Sequence, residues 1–137
     1  MRKLVFVVED NLTQQKMLQV HLEEMLGNYQ VKTFVKPEDM MSHLHEKPFA
    51  IVLDHYFAPG SKNGLHYLGE LKKNHSSIPV IYHTTSDDVA VREEAEKLGA
   101  VQFILKDSAS LVRLRTVLDD LEAGKYKKGF FKKLFGG

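Results

Sequence analysis

Short apolar runs alternate with segments of helical period along the chain. The runs are LVFVV (4–8), YQVKTFV (29–35), FAIVL (49–53), PVIYH (79–83) and VQFIL (101–105). They are mostly rich in Val, Ile and Phe and show little period-2 alternation, which is the pattern of parallel strands buried on both faces. Between them lie amphipathic helices. In the first, Leu18, Leu22, Met25 and Leu26 share one face, and Gly27 suits its stop. The second opens with KPEDMM, where Pro37 fits the first helical position and Glu38 and Asp39 favour the positive end of the helix. The third follows Gly64 and carries Leu65, Leu68 and Leu71. The fourth carries Val91, Ala95 and Leu98 and stops at Gly99. The fifth carries Leu111, Leu114, Leu118 and Leu121, with Ser108 as its expected cap and Gly124 as its stop. The pattern predicts five β-α units. Right-handed crossovers then give a doubly wound α/β fold, a five-stranded parallel sheet with helices on both faces.

Sheets of this kind bind ligands at the carboxyl ends of their strands. The first run is followed by Glu9 and Asp10, the third by Asp54, the fourth by Thr84 and Thr85, and the fifth by Lys106. Only the second, ending in Lys36 and Pro37, delivers nothing comparable. Each residue has a plainer reading when taken singly: Asp54 as a loop acid, Glu9-Asp10 as a helix start, Thr84 as a cap, Lys106 as a solvated lysine. Brought to one edge together, they point to a joint site. Three carboxylates cannot crowd in a poorly solvated cleft without compensation. A hard divalent cation such as Mg²⁺ suits an all-oxygen set. Lys106 and the Thr84 hydroxyl could stabilise a transferring phosphoryl group, and a carboxylate can accept one as an acyl phosphate.

Composition narrows the alternatives. At 137 residues one domain with a real core is expected. A net charge of +1 gives no molecule-wide field for nucleic acid or membrane, so such binding would need a local patch. The absence of cysteine excludes disulfides, thiol nucleophiles and Cys-based zinc sites. The start MRKLVFVVED is too short in apolar residues for a signal peptide, and no segment approaches the ~18 needed to span a bilayer. A soluble cytoplasmic protein is expected.

The motifs VFVVEDN, IVLD, PVIYHTT and GAVQFILK stand in an order and spacing that resembles the response-regulator receiver domain of two-component signalling. The likeness runs over roughly residues 3–122. It implies a flavodoxin-like fold with strand order 2-1-3-4-5, a receiver unit at 1–124 and a separate tail at 125–137. With no output domain attached, the chain is similar to chemotaxis-type single-domain regulators. By that resemblance Asp54 is the phosphoacceptor. Asp10, Asp54 and the backbone carbonyl of Tyr56 would hold Mg²⁺, with Mn²⁺ as a substitute, and Glu9 would act on the metal through water. Thr84 would bind a phosphoryl oxygen, Lys106 would pair with Asp54 or the phosphoryl group, and Phe103 would change rotamer with the switch. The phosphoryl donor would be a sensor histidine kinase or a histidine phosphotransfer protein. An unidentified downstream protein would read the changed surface, and direct DNA binding is not expected. The protein would catalyse only its own phosphorylation and dephosphorylation.

Four places depart from the family pattern. Asp107 follows Lys106 where a Pro, often in a cis peptide, is usual, so trans and cis geometries both stay open there. The loop HYFAPGSKNG is about two residues longer than the family norm. Thr85 replaces a small residue, which would narrow water access and slow dephosphorylation, and His83 replaces an aliphatic one. The remaining histidines offer no zinc-binding spacing, and His55 is expected as a solvent-facing loop residue. The tail KYKKGFFKKLF holds five lysines among four aromatics and a leucine. It suits an acidic partner, an anionic membrane surface or nucleic acid, or else Phe130, Phe131, Leu134 and Phe135 pack back on the domain or on a second copy, or the tail is loose. Three other functions compete with the switch. A receiver-like interaction module would not be phosphorylated, but the acidic set is complete. A flavodoxin-like cofactor binder would need a donor-rich phosphate loop where Glu9-Asp10 stands. A metal-dependent phosphohydrolase would need an Asp-x-Asp nucleophile that EDNLT lacks.

Overall fold

The computed structural model describes residues 2–25 and 27–126. Leu26 and the tail residues 127–137, with the contacts expected of them, lie outside the described residues. The elements run β1 (Lys3–Val8), α1 (Leu12–Val20), β2 (Tyr29–Phe34), α2 (Pro37–Met41), β3 (Ala50–Leu53), α3 (Gly64–Asn74), β4 (Val80–Thr84), α4 (Val89–Leu98), β5 (Gln102–Leu105) and α5 (Ser110–Glu122). The five strands form one parallel sheet in the order β2-β1-β3-β4-β5, as expected. Among the described residues no helix is long and apolar enough to cross a membrane.

The weak alternation of the strands now has its cause. In β1, Val5 and Val7 enter a core shared with Leu18, Leu22 and Leu114, whereas Phe6 and Val8 enter a second core shared with Leu68 and Leu71. Both faces are covered by helices, so no strand position in the middle of the sheet can be polar without cost. Tyr126 packs against the first core and its hydroxyl accepts from Gln102 Nε2 at 3.3 Å, so the tail begins on the domain surface. Lys125 pairs with Asp120 at 3.1 Å.

Two helix ends differ from expectation. The first helix closes in a wide π turn over His21–Met25. Each residue of such a turn advances less around the axis, which carries Met25 off the buried stripe and leaves it 73% exposed while Leu22 stays buried. At the other end of the chain Ser108 does not cap the fifth helix. The cap position is Ala109, with no side-chain cap, and Asp107 shapes the turn before it, its Oδ1 accepting from Ala109 N at 2.8 Å and its carbonyl accepting from Ser110 Oγ at 3.1 Å. The expected stop at Gly99 is present, with φ of +104° and the Ala100 N–H closing back onto the Ala95 carbonyl at 3.0 Å.

Candidate functional site

The parallel strands end side by side, and their last backbone bonds set the site. Glu9 N donates to Phe34 O at 2.9 Å, Asp54 N to Val8 O at 3.3 Å, and Lys106 N to Thr84 O at 2.8 Å. Each ladder thus runs one step past its strand and fixes the residue that leaves it. The Glu9 and Asp54 side chains are buried, and Asp10 is more open. The three offer carboxylate oxygens that all lie within 4.8 Å of one another.

Lys106 reaches into this acidic group from β5. Its Nζ donates to Asp54 Oδ2 at 2.8 Å and also to Glu9 Oε1. Asp54 Oδ1 accepts from the backbone N–H of His55 at 2.6 Å, and Glu9 Oε2 from that of Asn11 at 3.1 Å. Asn11 in turn caps α1 through Gln14 N. Burial pushes the Glu9 carboxyl above its usual range against the hydrogen bond from Lys106, and the Asp54 charge adds to the rise. Burial works against the Lys106 ammonium, but its bonds to Asp54 and Glu9 outweigh that and hold its pKa above the ordinary lysine value.

The other expected residues take these places. Thr84 is fully buried, and its Oγ1 accepts from Ser86 N at 3.2 Å. It does not cap the fourth helix; Asp88 does, accepting from Ala90 N. Phe103 is half-buried and stacks on Tyr82 with ring centroids 5.9 Å apart. The Tyr56 side chain is 54% exposed. The Lys106–Asp107 peptide is trans, as are all the described peptides, and Arg113 holds Asp107 at 3.0 Å. Thr85 is exposed at the rim of a cleft of about 360 Å³ that also borders His83, Lys106 and Met17.

Three site features were not expected. His55 is buried rather than solvent-facing, because its Nδ1 pairs with the Tyr82 hydroxyl at 2.7 Å. Tyr82 is fully buried, and a buried phenol needs such a partner. The available signal was strand alternation: Tyr82 stands two residues before Thr84 and so shares its face. His83, on the opposite face, is buried with its Nε2 lacking a hydrogen-bond partner, and burial lowers its pKa to about 4. Gly64 allows α3 to start against the site. A Cβ there would stand 2.0 Å from the Asp54 carbonyl oxygen and 2.5 Å from the Tyr82 hydroxyl. The lengthened loop is anchored at its far side, where Ser61 and Tyr67 both donate to the Glu38 carboxylate, at 3.2 and 2.6 Å.

An acidic group, an amine and a hydroxyl at the carboxyl edge of a 2-1-3-4-5 sheet define a class of phosphoryl-signalling domain. The model of the response regulator receiver domain family matches residues 5–119, and the chain belongs to that family. Receiver domains bind Mg²⁺ at their acidic cluster and take phosphate from histidine kinases. The chain is similar to the cyclic di-GMP phosphodiesterase response regulator RpfG of Xanthomonas campestris pv. campestris (strain 8004), with 27% identity over 104 residues, which are 74% of this chain. The match spans only 27% of that relative's length. NtrX from Brucella abortus has a similar structure, with a TM-score of 0.78 and 25% identity over 93% of this chain and 28% of NtrX. The phosphorylated cyanobacterial phytochrome response regulator RcpA shares the fold, with a TM-score of 0.73 and 24% identity over 89% of this chain and 92% of that one.

Proposed function

We propose that this chain is a phosphorylation-activated signalling switch whose phosphoacceptor is Asp54. The observation that carries the reading is the buried Asp54 carboxylate, gripped by Lys106 at 2.8 Å and grouped with Glu9 and Asp10 within 4.8 Å. Two of the rival readings lose ground on the same observation. A cofactor's phosphate would meet two carboxylates after β1, and a receiver-like module that is never phosphorylated has no need of the buried charges.

The donor set fits Mg²⁺. It is all oxygen, and three carboxylates face one ammonium, which leaves room for a divalent charge. Asp10, Asp54 and the Tyr56 backbone carbonyl would hold the ion, with Glu9 acting through water, and Mn²⁺ suits the same donors. The bound ion supplies positive charge for the phosphoryl oxygens. The chain's own residues do the rest. An Asp54 carboxylate oxygen attacks the phosphorus of a phosphohistidine. The new O–P bond forms as the P–N bond breaks, and the imidazole leaves with the bonding pair and is reprotonated by solvent. Lys106 holds the growing charge, and the Thr84 hydroxyl turns from Ser86 N toward a phosphoryl oxygen. Phe103 then changes rotamer. The protein turns over no separate substrate; it catalyses only its own phosphorylation and dephosphorylation, with Thr85 at the cleft rim slowing the entry of water.

Exposed Leu12, Met17 and Met25 border a groove of about 600 Å³ on α1, a fitting surface for a sensor histidine kinase or a histidine phosphotransfer protein. The α4, β5 and α5 side exposes Val89, Leu105 and Val112 for a downstream protein. No direct DNA binding is assigned to the receiver unit at 1–124. Residues 125–137 are the basic aromatic tail, suited to an acidic partner or an anionic membrane surface, and the working compartment is the cytoplasm.

Incubation with acetyl phosphate and Mg²⁺ tests the reading by intact-protein mass. Wild type gains one phosphate, chelation of the metal prevents the gain, and Asp54→Ala does not gain it. Equal uptake by Asp54→Ala, or none by wild type, sinks the assignment.

A further inference from the structure

Asp54 and Phe103 are joined by a chain of contacts that does not pass through Thr84. The His55 N–H donates to Asp54 Oδ1 at 2.6 Å. The His55 ring meets the Tyr82 hydroxyl at 2.7 Å. The Tyr82 ring stacks on Phe103, with an interplanar angle of 23°, and Arg92 of α4 lies 5.8 Å from the Phe103 centroid. His55 is also held by its backbone, since Gly64 N donates to its carbonyl at 2.9 Å. The Tyr82 hydroxyl is hemmed in by the start of α3, where a Gly64 Cβ would stand 2.5 Å from it. Burial keeps the proton on the Tyr82 phenol, and the direction of its bond with His55 Nδ1 follows the His55 tautomer.

These contacts give the loop after Asp54 a stiff connection to the α4–β5 side. We infer that Tyr82 is a positioning residue that couples His55, and through it Asp54, to the orientation of Phe103. The inference rests on the reading of Asp54 as phosphoacceptor. Phosphorylation turns the Asp54 carboxylate into an acyl phosphate, whose carbonyl oxygen is a weaker acceptor than a carboxylate oxygen. The His55 N–H bond weakens, the loop shifts, and the His55–Tyr82 bond passes that shift to the stacked rings. The two states of Phe103 are then biased by differential contacts at Tyr82 as well as at Thr84.

The test uses the full chain with 4-fluorophenylalanine placed at position 103 alone by nonsense suppression, so that a Phe introduced at position 55 or 82 carries no fluorine. Beryllium fluoride with Mg²⁺ serves as the phosphoryl mimic, and acetyl-phosphate uptake is measured by mass in parallel. Tyr82→Phe deletes only the hydroxyl and keeps the ring stack; His55→Phe keeps an aromatic ring of somewhat larger size but has no nitrogen to bond Tyr82. The mimic moves the Phe103 signal in wild type. In Tyr82→Phe phosphate is still taken up, but the Phe103 displacement falls by at least half. His55→Phe gives a similar loss, and the double variant loses no more than either single one, because all three break the same bond. A full-sized displacement in Tyr82→Phe, or losses that add in the double variant, overturns the coupling while leaving the Asp54 reading intact. Wild type that takes neither phosphate nor the mimic overturns both.

Discussion

His83 and His55 are neighbours of the same site with opposite solutions to burial. His55 satisfies its ring through Tyr82, whereas His83 leaves Nε2 unpartnered beside the cleft that borders Lys106. Burial, aided by the Lys106 cation and opposed by the Asp54 charge, lowers the His83 pKa to about 4. An unfolded histidine titrates near 6.5, so between these values the unfolded chain binds a proton that the folded chain refuses. Stability is therefore lost as pH falls through that window. In His83→Leu this contribution disappears. Urea titrations at pH 7.5 and 4.5 will show the loss of stability between the two pH values reduced by about 2 kcal/mol relative to wild type. An unchanged pH dependence would place the His83 ring in water.

Among the elements, α3 is placed with little freedom at its start. It starts at Gly64 directly against the Asp54 carbonyl, and it is capped by Asn63, whose side chain accepts from His66 N at 3.3 Å. A methyl group at Gly64 meets backbone, which cannot swing away as a flexible side chain would. Gly64→Ala should cost about 3 kcal/mol. The urea midpoint is expected to fall with an unchanged m-value, since the denatured chain is unaffected in its exposed surface. The same substitution pushes on the Tyr82 hydroxyl, so a midpoint that does not move would contradict the close approach of α3 to both groups. The longer loop before α3 is accommodated away from the acidic group, where Ser61 and Tyr67 tie it to Glu38 of α2. Its extra length therefore changes the rim and leaves the Asp54 end of the loop in place.

For the molecule as a whole, the sheet and the residues at its carboxyl edge were legible because they follow from short-range pattern, whereas the strand order was legible only through the family resemblance. A strand buried on both faces must be apolar throughout, and the first residue beyond it is exposed to chemistry; Glu9, Asp54 and Lys106 stand there. What the pattern could not carry was geometry set by tertiary contact. The π turn that turns Met25 outward depends on how α1 meets the start of β2. The start of α5 at Ser110, two residues past the expected cap Ser108, depends on the turn that Asp107 forms in the β5–α5 connection. The His55–Tyr82 bond joins residues on two strands' ends, 27 positions apart, and no local rule links them. The central claim about the molecule is that its phosphoryl group is carried on Asp54 and nowhere else. Borohydride reduces an aspartyl phosphate to homoserine, so reduction after acetyl-phosphate treatment, followed by peptide mass mapping, reads the acceptor directly. Homoserine at position 54, dependent on Mg²⁺, is the predicted result; unmodified Asp54 with phosphate or homoserine at another position would contradict it.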